Sequence, residues 1–421
     1  MDTRPYDIIL WGATGFTGRQ ATRYLHEQYG KPGNGRSGGL RWAIAGRDRV
    51  RLEAVRAWAG APELPILIVP GRDAGAAEQM ARSTRVVCAT VAPAAEYATE
   101  MVAACARHGT DYCDLSGELH WLRAMIDRYD NEAKASGARI LNACGFDSIP
   151  SDLGVQFLQE QAKAQFGEYC NLIRNCFDEG HIAVSGGSFA SGLGVMRAVA
   201  KDPQLANLIA DPNSLNPRDR MRGAFRPELD RVVHDKDFGQ YLMPFPIGGI
   251  NTRIVRRSHA LTNFQYGEDF IYEEAKLAGN GLLSKTRAQV ENFFTQLFVA
   301  GNPESRFTRF LHGLGPKVGD GPTDEQIARN GPFSFRMIGY TPSGKQLRAK
   351  VFCARDPGHG GTAAMLGDTA YCLAMERDKT GRIGGFTTTS VALGSVLRER
   401  LRGNTGLEFS VEGTSRQSAI I

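Results

Sequence analysis

Tyr6-Asp7-Ile8-Ile9-Leu10-Trp11 runs straight into Gly12-Ala13-Thr14-Gly15-Phe16-Thr17-Gly18, and a helix-forming stretch, Thr17–Tyr29, follows. An apolar strand, a turn with glycine at every third position and a helix make a GxxGxxG variant of the dinucleotide fingerprint. Each glycine answers a physical need. One allows the tight turn, one lets backbone approach a pyrophosphate, and one lets the helix pack on the strand. The helix start then offers N–H groups and the positive end of its dipole to the phosphates. A plain strand–helix turn needs no such spacing, so Gly12, Ala13, Thr14, Gly15, Phe16, Thr17 and Gly18 are assigned to cofactor binding.

Outward from this turn, short apolar runs alternate with helical patterns. Tyr6–Trp11, Leu40–Ala45, Pro65–Val69, Arg85–Val91, Thr110–Leu115 and Ala138–Cys144 read as strands. Most are continuously apolar, as parallel strands covered on both faces must be. Thr17–Tyr29, Ala94–Arg107 and Leu119–Ser136 read as helices, so the repeated unit is βαβ. The prediction is a Rossmann-type, doubly wound parallel α/β sheet over residues 1–149. Lys31–Gly39 is expected to be a flexible loop. Beyond Phe146 the rhythm changes. Asn171–Phe177, Asn251–Ser258, Asp269–Glu273, Phe333–Tyr340 and Gln346–Ala354 read as strands of a second, α+β domain (150–358) serving substrate or dimerisation. Thr341-Pro342-Ser343-Gly344 is its clearest hairpin turn. Residues 359–421, with helices over Thr362–Arg377 and Thr389–Leu401, are expected to be a helical tail packing back on the first domain.

A length of 421 residues suits two domains. With 42% hydrophobic and 23% charged residues, disorder and fibres are excluded. The net charge of +5 (50 − 45) is spread without a run of five basic residues, so nucleic acid is not an expected partner. The eight cysteines show no CxxC spacing, and several lie in apolar runs such as Val86-Val87-Cys88-Ala89, so they read as reduced and buried. Histidines are too scattered for a metal site. With no room for a signal peptide before the first strand and no apolar run of about 18 residues, the expectation is a cytoplasmic protein.

Ligands of open α/β sheets bind beyond the carboxyl ends of the strands. The second strand ends Ala45-Gly46-Arg47-Asp48: Arg47 stands where an acid would hold the ribose of NAD, so NADP is favoured, although Asp48 could face the ribose instead. Asp73, after the third strand, is a candidate for the adenine edge. Thr90, Val91, Ala92 and Pro93, after the fourth, would line the cofactor. Asp114, Ser116 and Glu118 follow the fifth strand and Asp147 the sixth. Any of these could orient substrate or relay a proton, and Ser116 and Asp147 could equally be helix N-caps.

Together, Gly12–Gly18, Ala45-Gly46-Arg47, Asp111–Glu118 and Cys144–Asp152 resemble the saccharopine dehydrogenase-like oxidoreductases, and among them the mycobacterial trans-acting enoyl reductases. The likeness continues through Ser185–Ser188, Asn251–Ser258 and Gly361–Arg377. It implies NADPH-dependent reduction of an enoyl double bond on a small-molecule or carrier-bound acyl chain, with a polyketide synthase as partner. Two departures stand out. Relatives usually carry Gly-Pro-Tyr after the fourth strand, whereas this chain has Ala92-Pro93-Ala94 and its next tyrosine is Tyr97. The tail has Gly385-Phe386-Thr387-Thr388-Thr389 where relatives often carry proline. On this reading Ser116 orients the substrate and Tyr97 donates the proton. The alternatives are a saccharopine-type dehydrogenase, with Arg253, Arg256 and Arg257 available for substrate carboxylates, or a cofactor-binding scaffold without turnover.

In Leu282–Ala300 the apolar residues Val290, Phe293, Phe294, Leu297 and Phe298 recur with helical period. They form either a core or dimer-interface stripe, fitting a homo-oligomer, or an interfacial helix on a membrane, which would place the protein at the plasma membrane periphery.

Overall fold

The computed structural model describes residues 4–30, 39–182, 185–300, 305, 313, 315–317, 319–381 and 383–412. Its first half contains β1 (Tyr6–Trp11), β2 (Trp42–Gly46), β3 (Ile66–Ile68), β4 (Thr84–Ala89), β5 (Asp111–Cys113) and β6 (Arg139–Leu141). With them come α1 (Phe16–Leu25), α2 (Arg49–Trp58), α3 (Ala74–Ser83), α4 (Ala94–Tyr97), α5 (Thr99–His108) and α6 (Leu119–Ser136). The strands lie in the order β6-β5-β4-β1-β2-β3, all parallel. The order therefore reverses at β1, where the glycine turn sits. In β1, Ile8 and Leu10 join one apolar cluster and Ile9 and Trp11 the other, which is the alternation of a strand buried on both sides. The loop expected at Lys31–Gly39 falls, apart from Gly39, outside the described residues.

The second half adds β7 (Leu172–Glu179), β8 (Val233–Asp235), β9 (Gln240–Met243), β10 (Ile271–Leu277), β11 (Phe333–Tyr340), β12 (Gln346–Cys353), β13 (Gly385–Thr387) and β14 (Leu407–Val411). Its helices include α7 (Ile149–Phe166), α8 (Gly186–Lys201), α9 (Gln204–Ala210), α10 (Gly248–Leu261) and α11 (Gly281–Ala300). The second sheet runs β14-β12-β11-β7-β10-β9-β8 and is mixed, with β7 and β10 parallel. The hairpin at Thr341–Gly344 forms as read, with Gly344 N–H donating to Thr341 O at 2.9 Å.

Two expectations change. The tail contributes an edge strand to each sheet: β13 extends the first sheet beyond β6 in parallel, and β14 extends the second beyond β12. The Thr362–Met375 helix does pack on the first sheet, against α1, β1, β4 and β5. A buried pair fastens this arrangement. Arg139 holds Asp111 through Nε (3.0 Å) and Nη2 (2.5 Å), and its other donors reach Thr380 Oγ1 (2.9 Å) and Leu373 O (2.9 Å) in the tail. Thr389 and Ser390 are likewise tied to the buried Asp152, by hydroxyls at 2.9 and 2.8 Å.

The second change is Asn251–Ser258, which lies inside α10 rather than in a strand. Its β-branched residues Thr252, Ile254 and Val255 mimic a strand. The helix is buried all round, so it shows no one-sided stripe. Its arginines tie surrounding loops to it. Arg253 Nη2 donates to Ile209 O (3.0 Å) and Ala210 O (3.1 Å), Arg256 to Ala224 O (2.5 Å), and Arg257 to Leu215 O and Phe386 O (2.5 Å).

Candidate cofactor and active site

The glycine turn has the geometry its sequence requires. Gly12 adopts φ +90°, and a Cβ there would meet Thr90 Oγ1 and Val91 N, each at 2.9 Å. A Cβ on Gly18 would lie 2.3 Å from Gly12 O and 2.8 Å from Ala13 Cα, so this glycine is what lets α1 approach β1. Gly15 is the N-cap of α1, which receives no side-chain cap, and the atom nearest its missing Cβ is Gly12 O at 3.3 Å. A helix start left without a side-chain acceptor suits a pyrophosphate. Thr90 Oγ1 donates to Gly12 O at 3.0 Å and braces the turn from β4.

At the end of β2, Arg47 is exposed and has no ion-pair partner among the described residues. Asp48 is otherwise engaged: it caps α2, with Oδ1 accepting from Arg51 N at 3.1 Å. Arg51, one helical turn beyond Arg47, reaches back to Thr14 O at 3.5 Å. Two exposed guanidiniums, four residues apart, thus stand beyond β2, and this spacing is the signal by which the sequence offers the second. Asp73 caps α3 through Ala76 N (3.0 Å) and is exposed.

At the ends of β4, β5 and β6 the polar groups are mostly spent on one another. The Ala92–Pro93 peptide is cis. Glu118, only 2% exposed, accepts from Ala94 N (2.7 Å), Ala95 N (3.2 Å) and Ser191 Oγ (2.9 Å), joining the β4 loop, the β5 loop and α8. Asp114 accepts from Tyr112 Oη (2.9 Å), Ser116 N (3.0 Å) and Asn142 Nδ2 (2.9 Å), and burial raises its carboxyl to about 7. Ser116 is not the cap of α6; its buried Oγ accepts from Glu118 N at 3.4 Å. Asp147 makes no hydrogen bond among the described residues, and burial raises it to about 6. Tyr97 points elsewhere. Its ring lies under Arg72 (5.2 Å to the centroid) and 3.3 Å from where a Gly71 Cβ would be, at the β3 end of the sheet. The structure therefore places Ser116 and Tyr97 on different sides of β4.

α8 covers this opening: a Cβ on Gly187 would come within 3.3 Å of Ala92 Cβ, and one on Gly194 within 4.0 Å of Pro93 Cβ. Its apolar residues Leu193, Val195 and Met196 are half-buried. A separate cavity of about 420 Å³ lies in the second domain beside β10, lined among others by Asn175, Tyr272, Glu274 and Arg256, and none of the strand-end residues borders it. All eight cysteines are buried and free. Among the described residues no group of His, Cys, Asp and Glu could hold a metal ion.

A family model for the saccharopine dehydrogenase NADP-binding domain matches residues 8–141, which are β1 through β6. Over 433 residues, covering 99% of both chains, the sequence is 36% identical to the trans-acting enoyl reductase of Mycobacterium tuberculosis (strain ATCC 25618 / H37Rv). The chain belongs to the trans-acting enoyl reductase family. Its counterpart in Mycobacterium leprae (strain TN) is 35% identical, with 95% of this chain and 96% of that one covered. Apo saccharopine dehydrogenase of Saccharomyces cerevisiae superposes with a TM-score of 0.51 at 13% identity, over 96% of this chain and 99% of that one, and so shares the fold. The enzyme is an NADP-binding oxidoreductase, and the glycine turn with Arg47 and Arg51 above it fits that cofactor.

Proposed function

We propose that the enzyme uses NADPH to reduce the α,β double bond of an enoyl thioester whose acyl chain is carried by a partner polyketide synthase. The end-to-end match to proteins named trans-acting enoyl reductases carries this reading. The half-buried apolar residues of α8, a helix that meets the β4 and β5 loops through Gly187, Ser191 and Gly194, support it, because an acyl chain needs apolar surface nearby. Bound NADPH supplies the hydride.

The chain's own groups then have two tasks: to stabilise negative charge on the thioester oxygen and to protonate the α-carbon. Ser116 suits the first. Its oxygen already accepts from Glu118 N–H, which leaves the hydroxyl proton to donate outward. Asp147 suits the second, since burial raises its carboxyl to about 6 and it has no internal partner among the described residues. Tyr97, beside Gly71 and Arg72, serves the adenosine half of the site. The saccharopine-type alternative loses two of its candidates, because Arg253 and Arg257 are buried and bound to backbone carbonyls, and the third, Arg256, tied to Ala224 O, lines the cavity beside β10 away from the strand ends.

The test is NADPH oxidation by the purified enzyme with enoyl thioesters on acyl-carrier domains, beside a panel of amino acids with 2-oxo acids. Turnover on the enoyl thioesters alone is expected. Turnover confined to the amino-acid panel would overturn the reading. In the pH profile of kcat, the limb that falls above about pH 6 should disappear in Asp147→Asn. A limb that persists in that variant would remove Asp147 as the acid.

A further inference from the structure

α11 is built inside out. An ordinary surface helix turns its apolar stripe to the core and its polar face to water. Here Ala288 is buried, and the rest of the inward side is polar. Glu291 pairs with Lys276, and Asn292 reaches Asp230 O (3.3 Å). Gln296, though exposed, donates to the same carbonyl at 2.7 Å. The outward side carries Leu282, Leu283, Val290, Phe293, Phe294 and Leu297, which are 45–88% exposed. Phe298 falls outside the residues whose side chains are described. The stripe read from the sequence is therefore neither core nor covered by the described residues. A helix of 20 residues is about 30 Å long, so the face is far larger than a scatter of single surface hydrophobes.

We propose that α11 docks the enzyme on an anionic membrane surface, with these side chains sunk into the headgroup boundary. The charges choose this occupant. The one carboxylate of α11, Glu291, is spent on Lys276, and the outward cation Arg287 has no ion-pair partner among the described residues. Lys285 borders the same helix turn, half-buried over the Tyr241 ring at 5.9 Å. A second copy meeting this one face to face through α11 would bring only Glu291, already paired with Lys276, whereas anionic headgroups would bring charge free to meet Arg287. Aromatic and leucine side chains beside a cation are the composition of helices that lie in the plane of a bilayer. Among the described residues no helix is long and apolar enough to cross one. This proposal does not depend on which substrate is reduced.

The full chain should be floated with vesicles of phosphatidylcholine alone and with vesicles containing phosphatidylglycerol, with NADPH affinity as the check on folding. Wild type is expected to float with the anionic vesicles. Phe293→Glu/Phe294→Glu is expected to lose at least about tenfold in partitioning with NADPH affinity unchanged. Arg287→Glu should lose about fivefold or more on anionic vesicles only. Wild type that stays in the soluble fraction with both kinds of vesicle would overturn the proposal. A dimer in sedimentation equilibrium that dissociates in Phe293→Glu would assign the face to a second copy instead.

Discussion

The two ends of the glycine-bearing sheet are made on opposite plans. Beyond β1 and β2 polar groups are left exposed: a helix start at Gly15 without a side-chain cap, and the guanidiniums of Arg47 and Arg51, the latter with one long contact to Thr14 O. Beyond β4, β5 and β6 nearly every polar group already has a partner, with Asp114 and Glu118 each holding three donors. A phosphate brings its own charge, and the protein need only leave cations and N–H groups unspent. Hydride transfer asks instead for a rigid apolar opening with one or two donors aimed into it. Asp114 and Glu118, spent on these donors, hold loops in place, whereas Asp147 has no internal partner among the described residues.

The sharpest way to break this contrast is Gly18→Ala. Its Cβ would collide with backbone at 2.3 and 2.8 Å, and backbone moves less readily than a side chain. A loss of about 1–3 kcal/mol of stability is expected in urea titration, with NADPH binding weakened at least about tenfold. A variant with wild-type values of both would show that α1 has room to shift. Glu118→Gln comes next, because Ala94 N–H and Ser191 Oγ donate to Oε1 and Ala95 N–H to Oε2, so an amide must turn its NH₂ toward a donor. A cost of about 1–3 kcal/mol is expected, with turnover lowered as the β4 and β5 loops loosen. Unchanged stability together with abolished turnover would instead make Glu118 a reacting group.

Arg47→Ala addresses the other end. Losing one charge-assisted contact should weaken NADPH about tenfold to a hundredfold and leave NADH unchanged. If the preference survives in Arg47→Ala but falls in Arg51→Ala, the second guanidinium is the selector. The smallest effect belongs to Tyr97→Phe, whose ring keeps its contacts with Arg72 and Gly71. Turnover and NADPH affinity should both stay within about twofold, and a hundredfold drop in kcat would return the proton-donor role to Tyr97.

What could be read from the sequence follows the same division. The glycine turn, the six strands and Arg47 declare themselves locally, because each answers a need within a few residues of chain. Asp48 and Asp73 are N-caps, as their positions before α2 and α3 allow, and only the coordinates show those carboxylates engaged. α10 was illegible as a helix because burial on all sides erases the one-sided stripe, and its arginines looked like binding groups when they are ties between loops. Tyr97 illustrates a further limit. It lies one turn beyond Pro93, and whether it turned toward β3 or β5 depended on how α4 starts. The edge strand β13 is three residues long and is held by partners in β6, far away in sequence. The outward face of α11 was visible as a stripe, but which way it pointed was a tertiary fact.

The central claim is that the opening over β4–β6 is where a substrate carbon receives hydride from the NADP cofactor. It is tested most directly by mass spectrometry of the product formed from a carrier-bound enoyl thioester and NADPH deuterated at C4 on the transferred face. The account predicts a saturated thioester with one deuterium at the β-carbon, formed in step with NADPH consumption and lost, or slowed at least about tenfold, in Ser116→Ala while NADPH affinity is kept. Tight NADPH binding with no deuterium in any enoyl substrate, free or carrier-bound, would contradict it and leave a cofactor-binding scaffold.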